Sequence, residues 1–120
     1  GIKLLAAAGV QVAVISGRRS AAVSARCREL GIKHVTQGAA DKNLALNKLL
    51  KKLSLLDSQV ACIGDDTPDI PLFVRVAFAV AVRDAHPLAL RAAHCRTTLP
   101  GGHGAVREVV DWILARRNGQ

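Results

Sequence analysis

Three short apolar runs, each followed by a helix-like segment, most constrain what this chain can fold into. VQVAVI (Val10–Ile15), VACI (Val60–Ile63) and AFAVAV (Ala77–Val82) are rich in β-branched or small residues and lack polar alternation. Such runs suit strands buried on both faces. The segments between them carry helical spacing and helix stops. Ile2–Ala8 is closed by Gly9, Ser20–Leu30 is closed by Gly31, and Asp41 caps a helix running to about Leu53. Leu44, Leu46, Leu49, Leu50 and Leu53 form the apolar side of that helix. Further on, the pattern predicts a short strand over 32–35 and a short helix over 70–75. A helix over 87–93 enters at Pro87, a last short strand covers 94–98, and an amphipathic helix closes the chain over 105–117. Strands alternating with helices predict an α/β fold, a doubly wound (Rossmann-like) parallel sheet with helices on both faces.

The 120 residues suffice for one domain with a real core, and neither a repeat nor a linker divides them, so 1–120 reads as a single domain. Aromatics are confined to Phe73, Phe78 and Trp112, which leaves the core to Ala, Val, Leu and Ile. The formal charge of +8 invites nucleic acid. The basic residues are scattered, however, and aromatics for base stacking are scarce, so no nucleic-acid partner is expected. Cys27, Cys62 and Cys95 are far apart and form no C-x-x-C pair, so neither zinc nor a disulfide framework is indicated. With no membrane-spanning run and no signal-peptide pattern, the expectation is a cytoplasmic chain without a membrane partner. An open parallel sheet begins with a strand that ends near its centre. This chain opens on GIKLL in a helical pattern, so the first strand of such a sheet is expected to be absent from it.

Ligands bind beyond the carboxyl ends of the strands in such a sheet, and three polar groups map to that edge. Ser16-Gly17-Arg18 follows VQVAVI, Asp65-Asp66-Thr67-Pro68-Asp69 follows VACI, and Asp41-Lys42 opens a helix. A hydroxyl with backbone N–H groups holds a phosphate, and a lysine adds charge to it. Clustered carboxylates suit a hard cation such as Mg²⁺, and that cation beside a phosphate neutralises charge that would repel a nucleophile. Taken singly, each group also reads as a turn, a cap or a surface charge.

Together, Ser16-Gly17-Arg18, Lys42 and Gly64-Asp65-Asp66 with Asp69 resemble the second, third and fourth motifs of the haloacid dehalogenase superfamily of phosphohydrolases. GIKLL, ISGR, LGIKHVTQG, VACIGDDTPDIP, AVAVRDAHPL and LPGGHGAVRE further resemble its capless branch, the 3-deoxy-D-manno-octulosonate 8-phosphate phosphatases of lipopolysaccharide synthesis. The likeness runs from Gly1 to about Ile113. It implies Mg²⁺-dependent hydrolysis of a sugar phosphate by a homotetramer. It also implies roles. Ser16, Gly17 and Arg18 bind phosphate or substrate, and Lys42 pairs with the phosphate and with the nucleophilic carboxylate. Asp65, Asp66 and Asp69 hold or orient the metal. His103 and Arg107, in a segment approaching an active site, bind substrate. Two departures stand out. His103 replaces the branch's usual Arg, putting a titrating group where a fixed charge is usual. None of the nine acids forms the family's first motif, D-x-D, which supplies the nucleophile and the general acid/base. The chain is therefore expected to be inactive alone. A non-catalytic oligomerisation or regulatory domain of the same fold is the alternative.

Overall fold

The structure, a computed structural model, describes residues 2–102 and 104–117. Its elements alternate as the sequence predicts. Helix α1 (Ile2–Ala7), strand β1 (Ala13–Ile15), helix α2 (Ala21–Leu30), strand β2 (His34–Thr36) and helix α3 (Lys42–Leu53) form the first half. Strand β3 (Ala61–Gly64), helix α4 (Ile70–Phe73), strand β4 (Phe78–Ala81), helix α5 (Pro87–Ala92), strand β5 (Cys95–Arg96) and helix α6 (Ala105–Arg117) form the second. One 3₁₀ turn, Asp57–Gln59, precedes β3, and another, Thr67–Asp69, leads into α4.

Local chemistry sets these boundaries. The Ser20 side chain accepts from the Val23 N–H at the start of α2, and Gly31 ends that helix at φ +73°. Asp41 accepts from the Leu44 N–H at 3.2 Å and opens α3. Ser54 closes α3 in the left-handed region at φ +56°, a conformation costing a residue with a Cβ about 1 kcal/mol.

All strand pairs are parallel, but the described residues form two sheets rather than one. β1 pairs with β2, and β4 lies between β3 and β5. The strand predicted over 10–15 narrows to its last three residues. Strand structure needs a partner, and among the described residues β1 has one on one edge only, where Ala13, Val14 and Ile15 face His34, Val35 and Thr36.

The core follows from this pairing. β4, flanked on both sides, buries Ala79, Val80 and Ala81 completely. Leu46 and Leu50 of α3, Leu72 and Phe73 of α4, and Ala89 of α5 pack into the same cluster, with Ala105 of α6. Each large apolar side chain buried this fully contributes about 1.5–3 kcal/mol. Leu44 departs from its expected place on the apolar side. It is 52% exposed, because the helix turns it away from the leucines that face the core. Arg75 ties α3 to the second half, reaching the Asp57 carboxylate and the Asn43 side chain.

Candidate active site

Because every strand runs the same way, the residues just after β1, β3 and β4 come to one edge. They enclose a cleft of about 520 Å³ lined by Ser16, Lys42, Asp65, Asp69, Asp84 and Gly101, among others. Ile15, Ile63 and Val82 supply its apolar floor.

Ser16 is held by its backbone on two sides. Its N–H donates to the Thr36 carbonyl (2.9 Å), and its carbonyl accepts from the Ala39 N–H (3.0 Å). Its hydroxyl oxygen accepts from the Arg18 N–H at 3.1 Å, which leaves the O–H proton as a donor toward the cleft.

Lys42, in the first turn of α3, donates to Asp69 Oδ1 at 2.6 Å, and both side chains are largely buried. The other carboxylate oxygen of Asp69 accepts from the Asp65 and Asp66 N–H groups, at 3.0 and 3.3 Å. Asp69 thus pins the turn after β3. A β-carbon on Gly64 would sit 2.6 Å from the Asp69 side chain, so glycine there lets the carboxylate fold over the strand end. The Asp66 side chain accepts from the Thr67 N–H at 2.7 Å. The Asp65 carboxylate is exposed on the cleft. The nearby Cys62 thiol is pushed up to about 12 by burial and by the Asp69 charge, against the pull of Lys42, so it stays protonated.

Ser16, Lys42, Asp65 and Asp69 therefore meet at one cleft, as the sequence suggested. A β-carbon on Gly17 would lie 3.5 Å from the Ala39 carbonyl, and neither Gly17 nor the exposed Arg18 lines the cleft. Arg107 pairs with Asp111 along α6 at 3.3 Å and is also outside it. His103 lies outside the described residues. The sequence reading missed Asp84. Its carboxylate accepts from the Gly101 N–H at 2.8 Å and brings the glycine loop to the rim. The signal was its place just past a strand, the same rule that found Asp65.

The donor chemistry fits a hard divalent cation. Mg²⁺ is commonly held by one or two carboxylates with waters and substrate oxygens completing its shell. Among the described residues the Asp65 carboxylate is uncommitted and Asp66, one oxygen of which accepts from Thr67, lies beside it, whereas both Asp69 oxygens are hydrogen-bonded.

Comparison with known proteins places the chain in a family. The chain is 48% identical over 114 residues to the 3-deoxy-D-manno-octulosonate 8-phosphate phosphatase KdsC of Yersinia pestis, covering 95% of this chain and 61% of that protein. A crystal structure of the Yersinia pestis phosphatase superposes with a TM-score of 0.95 at 46% identity, over 98% of this chain and 63% of that one. The corresponding Moraxella catarrhalis phosphatase, solved in complex with a magnesium ion, a phosphate ion and a KDO molecule, superposes with a TM-score of 0.91 at 42% identity, over 94% of this chain and 65% of that one. The chain thus spans a little over three fifths of the curated relatives it matches. The family model for haloacid dehalogenase-like hydrolases matches residues 29–108, and the chain belongs to that family.

Proposed function

We propose that this cleft is the phosphoryl-binding half of a Mg²⁺-dependent sugar-phosphate phosphatase whose substrate is 3-deoxy-D-manno-octulosonate 8-phosphate. One observation carries the reading: a hydroxyl donor (Ser16), a cation (Lys42) and an uncommitted carboxylate (Asp65), from three separate segments, surround one cleft at the carboxyl edge of the strands. The relatives' substrate and the magnesium, phosphate and KDO bound by one of them support it.

Each residue then has a task. The Ser16 O–H donates to a phosphoryl oxygen. Lys42 has three N–H donors, of which Asp69 takes one, and the remainder face the anion. Asp65, with Asp66 beside it, would hold Mg²⁺. The ion, when bound, would offset phosphoryl charge as the nucleophile approaches. Asp69 fixes the turn that presents both carboxylates and orients Lys42. The attacking carboxylate is proposed to come from a D-x-D segment outside these residues. Among the described residues β1 and β3 each have a partner strand on one side only, which supports this. In that scheme the carboxylate displaces the sugar alkoxide, the second Asp protonates the departing oxygen, and water cleaves the aspartyl-phosphate. The same reading takes the residues as one domain of a cytoplasmic homotetramer. Among the described residues no helix is long and apolar enough to cross a membrane.

The test joins a strand ending in the family's D-x-D motif ahead of this chain and measures phosphate release from the sugar phosphate. Mg²⁺-dependent release, lost in Asp65→Asn, is the expected result. A folded tetramer that releases nothing would favour the non-catalytic oligomerisation or regulatory domain.

A further inference from the structure

Gly101 and Gly102 form the cleft's far rim, and the segment leading into them is held by a dense set of polar contacts. The Glu108 carboxylate, on the first turns of α6, accepts from the Thr98 N–H (3.0 and 2.8 Å), the Thr98 hydroxyl (2.9 Å) and the Leu99 N–H (3.0 Å). The buried Thr97 hydroxyl accepts from the Arg83 N–H at 3.0 Å and donates to the Leu99 carbonyl at 2.5 Å. The Gly101 N–H donates to Asp84 at 2.8 Å. Gly101 and Gly102 then line the cleft together with Ser16, Lys42 and Asp65. Gly102 sits at φ +78°, where a side chain is strained, so Gly101 and Gly102 offer a ligand only their backbone N–H and C=O groups. A mobile backbone cannot present such groups reproducibly, and here the fixing comes from Glu108 on one side and Asp84 on the other.

We propose that Glu108 is a positioning residue: by clamping the Thr98–Leu99 backbone to α6 it sets the Gly101–Gly102 rim against the part of the substrate remote from the phosphate. The proposal rests on the phosphatase reading for its substrate and on the hydrogen-bond geometry for the clamp. A substrate long enough to reach the rim gains from its placement. A small phosphomonoester, bound only by the phosphate groups, does not. Ordering of remote contacts is worth factors of ten or more when lost.

The test has two arms, using the whole chain carrying the added D-x-D segment, with Glu108→Ala and Glu108→Gln. The first is amide hydrogen exchange. Thr98, Leu99 and Gly101 are expected to exchange at least about tenfold faster in Glu108→Ala, while the Ala79–Ala81 amides of β4 stay protected. The second compares two substrates. In Glu108→Ala the KM for the sugar phosphate is expected to rise about tenfold, with the hydrolysis of p-nitrophenyl phosphate unchanged and Glu108→Gln in between. Equal loss on both substrates, or faster exchange with an unchanged sugar-phosphate KM, overturns the positioning role. A parent that hydrolyses neither ester defeats the phosphatase reading. The clamp is then decided by exchange alone, and unchanged exchange in Glu108→Ala overturns it.

Discussion

Lys42 Nζ and Asp69 Oδ1 meet at 2.6 Å beneath the turn that carries Asp65 and Asp66, although the two residues lie 27 positions apart in the chain. The pair is largely withdrawn from water. Removing one partner therefore leaves an uncompensated charge, at a cost of about 3–5 kcal/mol. Lys42→Met and Asp69→Leu are each expected to lower stability to urea by about that amount. The double variant is expected to recover much of the loss. A double variant whose cost equals the sum of the two singles would show that the residues act independently.

Gly64 has a specific steric duty. A methyl group there would lie 2.6 Å from Asp69 Cβ, Cγ and Oδ2, closer than real contacts allow. Gly64→Ala is expected to push the carboxylate off the Asp65 and Asp66 N–H groups and to destabilise the chain by about 1–3 kcal/mol. The accompanying sign is a change in the amide resonances of Asp65 and Asp66. If those resonances stay in place, Asp69 does not hold the turn as described.

Two carboxylates contribute to the acid sensitivity. Hydrogen bonding to Arg75 holds Asp57 below its ordinary value of 3.8, against a smaller opposing effect of burial. The Thr98 N–H, aided by Leu99, likewise holds Glu108 below 4.5. A folded-state value below the unfolded one means stabilisation that is fully present above the ordinary value and lost as pH falls through the depressed one. Melting temperature is therefore expected to drop on acidification from about pH 5 toward pH 2, and Asp57→Asn is expected to flatten part of that drop. An identical pH profile for Asp57→Asn would contradict the assignment.

Much of this architecture is legible in the residues themselves. Caps such as Ser20, Asp41 and Gly31 act locally, so their chemistry marks helix ends without knowledge of the rest of the fold. The AFAVAV run becomes β4, whose Ala79, Val80 and Ala81 are fully covered. The carboxyl-edge rule brings Ser16, Lys42 and Asp65 to one place. What was not legible depends on partners distant in sequence. VQVAVI reads as six strand residues, but pairing along a single edge leaves three. Asp69 looks like one more acid in a cluster, and only the approach of Lys42 from another helix makes it the pin of the turn. Nothing in the sequence marks Glu108, beside Arg107 on the closing helix, as a structural clamp. The chain's return over β5 turns Glu108 onto the Thr98–Leu99 backbone, while Arg107 stays with Asp111.

Binding of a divalent cation on Asp65, beside the phosphoryl site at the carboxyl edge, is measured with Mn²⁺ as a paramagnetic stand-in for Mg²⁺. Amide resonances of the ¹⁵N-labelled chain are followed as Mn²⁺ is added. Broadening is expected to begin at Ser16, Asp65 and Asp66 and to disappear from them in Asp65→Asn. Broadening centred elsewhere, or unchanged in Asp65→Asn, would contradict this binding.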